Sequence, residues 1–272
     1  MTASKKDTAL VTGASSGIGA VYADRLAKRG YDLILVARNR DRLARLADRL
    51  ETETGRLVEI ITADLADKED VGRIERLLHT DSRITLLVNN AGVGAAASLL
   101  EADVEKMDAM IRLNVSALTR LTYAAVPSFV ARGGGTIINI ASIVAIWPER
   151  FNGVYGGTKA FMLAFSQSLQ HELGQKGMRI QAVLPGPTAT DFWDIAGLPV
   201  HHLPSAIVMS PEDMVDAALA GLDQGEVVTI PGLPDKPEWN RFDAARRAMA
   251  ERAERAVPAL RYSVVRTPPP TA

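Results

Sequence analysis

Short apolar runs alternate along this chain with longer stretches in which apolar positions recur at helical spacing. The short runs, rich in Val, Ile and Leu, predict strands over Thr8–Thr12, Asp32–Ala37, Leu57–Thr62, Ile84–Asn89, Gly135–Ile140, Arg179–Leu184 and Val227–Ile230. The longer stretches predict helices over Gly17–Arg29, Asp41–Glu53, Lys68–His79, Asp103–Ala131, Val154–Lys176 and Pro211–Gln224. Strict alternation of this kind builds a parallel sheet with helices on both faces. The expected fold is α/β: a single doubly wound domain over residues 1–235, with a seven-stranded parallel sheet and right-handed crossovers. Pro127 lacks an amide donor, so the long helix should end or kink near Val126, leaving Pro127–Ala131 as a separate turn. After Pro231 the pattern changes, and 236–272 reads as an extension. An amphipathic helix is expected over Asn240–Leu260, and a disordered tail over Arg266–Ala272 with its three prolines. Asp243, Glu251 and Glu254 dilute the arginines of that helix, so it should pack on the body or on a neighbouring subunit and not on a membrane.

Composition narrows the function classes. With 272 residues, 47% of them hydrophobic, one sizeable core is expected. A net charge of -1 leaves no basic footprint for nucleic acid. The chain has no cysteine, which excludes disulfides, thiolate nucleophiles and cysteine-ligated metals. No apolar leader follows Met1–Asp7, so a cytoplasmic location is expected. The most apolar run, Ile137–Trp147, is interrupted by Asn139 and Ser142 and falls short of the roughly 20 residues that span a bilayer. His201 and His202 have no further ligand at useful spacing, so no metal is expected there.

Two stretches carry candidate chemistry. Thr12-Gly13-Ala14-Ser15-Ser16-Gly17-Ile18-Gly19 links the first strand to the first helix. It is either a plain glycine turn or a cradle for a pyrophosphate at a helix N-terminus, and the strand–turn–helix context favours the dinucleotide. Tyr155 and Lys159 lie four residues apart, on one face of a predicted helix. A positive charge beside a phenol lowers its pKa from about 10, as a proton donor working near neutral pH requires. Alone, the pair is an ordinary feature of surface helices, and its meaning depends on the rest of the chain.

Further motifs stand in a fixed order: Asn89-Asn90-Ala91-Gly92 after the fourth strand, Asn114 in the long helix, Ser142 after the fifth strand, and Pro185-Gly186 with Thr188 and Thr190 after the sixth. With the glycine turn and Tyr155-xxx-Lys159, this order resembles the short-chain dehydrogenase/reductase family, in the branch whose turn reads Thr-Gly-xxx-Gly-x-Gly. The likeness runs from Thr8 to about Gly232. It implies a Rossmann-type fold and a catalytic set of Asn114, Ser142, Tyr155 and Lys159. In that set Tyr155 would be the acid/base and Ser142 would fix the substrate oxygen. Lys159 would acidify Tyr155 and bind the cofactor ribose, and Asn114 would hold a water leading to Lys159.

By the same resemblance, a nicotinamide dinucleotide would contact Gly13, Ser15, Ser16, Gly17, Ile18 and Gly19 in the turn, Asp64 and Leu65 at the adenine, and Asn90, Ala91 and Gly92 along its length. Tyr155, Lys159, Pro185, Gly186, Thr188 and Thr190 would complete the nicotinamide end. NAD-specific relatives carry an acidic residue at the end of the second strand. Here Ala37 is followed by Arg38, with Arg42 nearby, so NADP(H) is expected over NAD(H).

The implied activity is NADP(H)-dependent interconversion of a secondary alcohol and a carbonyl on a small molecule, with no nucleic-acid partner. The implied assembly is a homodimer or homotetramer through helices Asp103–Val126 and Val154–Lys176. A catalytically silent scaffold of the same fold is the alternative, and the intact catalytic set counts against it. Residues 190–210 read as an apolar substrate lid, with Phe192 and Trp193 toward the substrate. Gly156-Gly157 departs from the family pattern. Each glycine costs roughly 1 kcal/mol against alanine in a helix and predicts a loosened helix start or a widened pocket.

Overall fold

The structure, a computed structural model, describes residues 7–262 and divides the chain into two compact units, Met1–Gly232 and Leu233–Ala272. In the first unit the strands are β1 (Thr8–Thr12), β2 (Asp32–Ala37), β3 (Val58–Thr62), β4 (Ile84–Asn89), β5 (Gly135–Ile140), β6 (Met178–Val183) and β7 (Val228–Thr229). They form one parallel sheet in the order β3-β2-β1-β4-β5-β6-β7. This is the expected doubly wound Rossmann-type architecture. The strand order reverses between β1 and β4, where folds of this class open a crevice at the carboxyl ends of the strands.

The helices are α1 (Gly17–Lys28), α2 (Arg40–Thr54), α3 (Lys68–Thr80), α4 (Val104–Ile111), α5 (Leu118–Ala131), α6 (Gly153–Leu173), α7 (Phe192–Ile195) and α8 (Pro211–Asp223). Strand side chains alternate between faces. Ala9, Val11, Leu33, Leu35 and Val183 pack on α1, α2 and α8 through Tyr22, Leu26, Leu43, Leu50, Met214 and Leu219. Leu10, Ile34, Val36, Leu87 and Ile180 pack on the other face, on α3, α5 and α6 through Ile74, Leu78, Leu121, Phe129 and Leu173. Both faces are covered, which explains why the strands read as continuous apolar runs.

The predicted long helix differs in two ways. Between α4 and α5, residues Arg112–Ala117 form a π-helical turn, a wider winding that often marks functional positions. Beyond it α5 runs unbroken through Pro127, so the predicted stop near Val126 is overturned. Burial of Leu121, Ala125 and Phe129 on either side of the proline holds the helix against the sheet. Arg132 donates to Ile84 O at 2.6 Å just beyond its end, a further tie to the sheet. Tertiary packing here outweighs one missing backbone hydrogen bond.

α6 also runs unbroken through Gly156 and Gly157. A Cβ at Gly157 would meet nothing, and one at Gly156 would sit at an ordinary 3.5 Å from Pro148. Neither glycine is required by close packing.

The second unit contains α9 (Lys236–Ala253), which begins and ends earlier than the expected Asn240–Leu260. Within it Asp243 pairs with Arg246 and Arg247 at 2.7 and 2.6 Å. The expected tail, Arg266–Ala272, lies outside the described residues, as do 263–265.

Candidate active site

The glycine turn at the end of β1 is sterically obligatory. Gly13 and Gly17 have φ of 64° and 53°, in the left-handed region that glycine favours. A Cβ on Gly13 would lie 2.8 Å from Asn90 Nδ2, and one on Gly17 would lie 3.0 Å from Thr190 Cγ2. A Cβ on Gly19 would collide with Gly13 O. Ser16 caps α1 without a side-chain hydrogen bond, and no acidic residue occupies the first turn, so the helix N-terminus stays available to an anion. Ser15, Ser16 and Ile18 line the half-buried outer side of the turn. These features fit a pyrophosphate held on backbone N–H groups.

β4 is locked to this turn by Thr12. Its hydroxyl donates to Val88 O at 3.1 Å and accepts from Asn90 N and Ala91 N at 2.9 and 3.0 Å. Asn90 Nδ2 returns a bond to Thr12 O at 2.9 Å. Beneath, Asn89 Nδ2 donates to Asn139 Oδ1 at 2.9 Å, and Asn139 Nδ2 donates to Ser166 Oγ at 2.9 Å, which ties β4, β5 and α6 together. At the far strands, Asp64 follows β3 with its carboxylate accepting from Ala66 N, and Leu65 is buried. Arg38 follows β2 directly, with its side chain exposed. Arg42 instead donates to Asp191 at 2.9 Å, joining the start of α2 to the lid.

The structure brings Asn114, Ser142, Tyr155 and Lys159 into one buried locus, each less than a tenth exposed. Asn114 sits in the π-helical turn, where its amide accepts from Val93 N at 3.0 Å and donates to Val93 O and Thr158 Oγ1 at 2.9 and 3.1 Å. A Cβ on Gly92 would lie 3.1 Å from Asn114 Oδ1 and 3.7 Å from Lys159 Nζ, so the bare glycine backbone lets both atoms approach it closely. Ser142, after β5, donates to Pro185 O at 3.4 Å and lies close enough to the Tyr155 phenol to lower its pKa. Pro185 and Thr188 are buried, and Thr188 O accepts from Trp193 Nε1 at 2.8 Å. Gly186 is exposed, and Thr190 seats against Gly17.

Asn152 is a residue that the motif reading missed. Its side chain accepts from Val154 N and Tyr155 N at 2.9 and 3.2 Å, capping α6, while Nδ2 donates to Ala97 O at 2.7 Å. One amide therefore fixes the backbone of Tyr155 against the loop after β4. An Asn two residues before the predicted helix start at Val154 was its signal in the sequence.

The electrostatics correct one expectation. Burial pushes the Tyr155 phenol up to about 12, against a lowering by the Ser142 hydrogen bond, and burial pulls the Lys159 ammonium down to about 7. Lys159 Nζ donates to Ile140 O at 2.8 Å and stands 5.7 Å from the Tyr155 ring centroid. Its expected acidification of Tyr155 is thus not met in this state, because desolvation dominates both groups.

A depressed lysine pKa has a sign for stability. Between about pH 7 and the ordinary lysine value of 10.5, the unfolded chain binds the proton that the folded chain has lost, so stability rises with pH through this window. Lys159→Met removes the buried ammonium, so it should raise unfolding free energy by about 2–3 kcal/mol more at pH 6 than at pH 9. Denaturant melts at the two pH values without cofactor check this, and an equal effect at both would show that the ammonium is not penalised by burial.

No described helix is long and apolar enough to cross a membrane, and no group of three or more His, Asp or Glu among the described residues could hold a metal. The sequence matches the short chain dehydrogenase family over residues 7–196. Among solved structures, a short-chain dehydrogenase from Sphingobium yanoikuyae in complex with NADPH is 46% identical, covers 93% of this chain and 98% of its own, and superposes with a TM-score of 0.90. A bulky-bulky ketone specific alcohol dehydrogenase from Comamonas testosteroni is 42% identical, over 95% of this chain and 99% of its own, with a TM-score of 0.87. A very-long-chain 3-oxoacyl-CoA reductase of Anas platyrhynchos is 33% identical, over 78% of this chain and 67% of its own. The chain belongs to the short-chain dehydrogenase family of oxidoreductases.

Proposed function

We propose that this protein is an NADP(H)-dependent oxidoreductase that interconverts a secondary alcohol and a ketone, with Tyr155 as the acid/base. The observation that carries the reading is the convergence of a phenol, a serine hydroxyl and a buried lysine beside a glycine turn shaped for a pyrophosphate. NADPH in the Sphingobium relative and a ketone substrate in the Comamonas relative support it.

Gly13, Gly17 and Gly19 would admit the pyrophosphate at the N-terminus of α1, Arg38 would pair with the 2′-phosphate, and Asp64 and Leu65 would flank the adenine. Asn90, Ala91 and Gly92 would follow the ribose, and Pro185, Gly186, Thr188 and Thr190 would hold the nicotinamide end. When bound, NADPH supplies a hydride to the carbonyl carbon, leaving NADP+ and an alkoxide oxygen to be protonated.

The protein's own work is to place that oxygen and protonate it. Ser142 Oγ, turning its proton from Pro185 O, and Tyr155 Oη would both donate to it. With its phenol proton held up to about 12, Tyr155 is fully protonated at neutral pH and ready as the acid for reduction. Lys159, donating to ribose hydroxyls as well as to Ile140 O, would keep its charge and favour the phenolate needed in the reverse direction. A water would pass protons between Lys159 Nζ and Asn114 Oδ1, which has an acceptor site left beyond Val93 N. An intact set of four makes the silent-scaffold alternative the weaker reading. Tyr155→Phe tests the proposal: turnover must collapse while cofactor still binds, and retained turnover would contradict it.

A further inference from the structure

Aromatic side chains are scarce in this chain, with six Phe, five Tyr and three Trp in 272 residues. Four of them, the acid/base Tyr155 included, close a ring. Phe151 meets Tyr155 edge-on at 5.4 Å and Trp193 at 6.1 Å, with interplanar angles of 66° and 90°. Phe192 meets Tyr155 at 5.7 Å and Trp193 at 5.6 Å, so each ring touches two others.

The arrangement is held from outside. Trp193 Nε1 is pinned to Thr188 O at 2.8 Å. Phe192 lies on Gly94, where any Cβ would collide with its ring. Ala96 N donates to Ala196 O at 3.0 Å, joining the segment after β4 to the end of α7. Behind the rings stand Met110 and Val144, with Val93, Met107 and Ile143 packed against them. The charged group at these rings is Lys159, whose Nζ stands 5.7 Å from the Tyr155 ring centroid.

A ketone at the Tyr155 hydroxyl would lie beside the rings of Phe151 and Phe192, which flank the phenol. A flat aryl group would make edge-to-face contacts with these rings, whereas a saturated group would bury area alone. A charged or polyhydroxylated substituent laid against Phe151, Phe192 and Trp193 would meet aromatic faces in place of hydrogen-bond partners.

Resting on the oxidoreductase reading above, we infer that the substrate is an uncharged ketone with an aryl substituent, selected by the ring of Phe151, Phe192 and Trp193 around Tyr155. Phe151, Phe192 and Trp193 are specificity-determining and take no part in the proton transfer.

The test compares 1-phenyl-2-propanone with 1-cyclohexyl-2-propanone, followed as NADPH oxidation. A methylene separates ring from carbonyl in both, so intrinsic reactivity is matched, and the saturated ring is the more hydrophobic of the two. Burial alone would therefore favour the cyclohexyl ketone. The expected kcat/KM ratio favours the phenyl ketone by about tenfold, the equivalent of roughly two aromatic pairings. Phe192→Leu and Phe151→Leu should each pull this ratio toward one, and quenching of Trp193 fluorescence by the phenyl ketone should weaken in both. A wild-type ratio at or below one, or a ratio unmoved in both variants, overturns the inference while leaving the oxidoreductase reading standing. No turnover of either ketone, with NADPH binding demonstrated, contradicts that reading and overturns the inference with it. The wild-type ratio is decisive by itself should a variant fail to fold.

Discussion

Tyr155→Phe is expected to lower kcat/KM for ketone reduction by about 10²–10⁴-fold, the usual contribution of a positioned general acid, and to leave NADPH affinity unchanged. The substitution is well suited to the site because it removes one oxygen and keeps the ring. The contacts with Phe151 and Phe192 survive, and the backbone N–H of position 155 remains capped by Asn152. Loss of activity then reports the missing proton and not a collapsed pocket. Direction and pH add a second reading. A phenol held up to about 12 favours reduction at neutral pH, so alcohol oxidation by the wild type should gain on reduction as pH rises. Isothermal titration with NADPH and steady-state kinetics on Tyr155→Phe check the first expectation. Retained turnover would move the acid to another group, with Ser142 the nearest candidate.

The second large effect is expected at Arg38. Its side chain follows the end of β2 directly and is exposed, while the neighbouring Arg42 is already engaged with Asp191. A 2′-phosphate would pair with the guanidinium of Arg38, and hydrogen bonds to charged groups contribute about 1.5–3 kcal/mol each. Arg38→Asp removes that pairing and places an acid where the ribose hydroxyls of NADH can use it. The ratio of kcat/KM for NADPH over NADH should fall by about 100-fold or more, with most of the change in KM. An unchanged ratio would place the discrimination elsewhere, in the first instance at Arg42 once the cofactor draws it from Asp191.

The fold was legible because parallel strands buried on both faces leave unmistakable apolar runs, and every predicted strand is present within a residue or so. The glycine turn was legible for a steric reason: Gly13 and Gly19 each face backbone or side-chain atoms that exclude a Cβ. The gathering of Asn114, Ser142, Tyr155 and Lys159 followed from their places at the carboxyl ends of strands and on facing helices.

What escaped the sequence depends on packing between distant segments. Pro127 is a local signal for a break, yet α5 is held by contacts to the sheet that no window of sequence contains. The π-helical turn at Asn114 adds one residue to a winding that helical periodicity reads as regular. Arg42 looked free to meet a phosphate, but its partner Asp191 lies 149 positions away. The burial of Tyr155 and Lys159 together was not visible in their spacing: the phenol's own desolvation pushes it up, and the ammonium's desolvation pulls it down. The aromatic ring around Tyr155 was half seen, in Phe192 and Trp193, while Phe151 gave no sign beyond its nearness to the helix start.

The most direct test of the account follows the hydride. NADPH carrying deuterium at the transferable position of C4 is incubated with the protein and 1-phenyl-2-propanone, and the alcohol formed is analysed by mass spectrometry and proton NMR. The account predicts one deuterium per alcohol, at the carbinol carbon, with the hydroxyl proton drawn from solvent. Alcohol without deuterium at that carbon, or no alcohol while the labelled cofactor is bound, would contradict it.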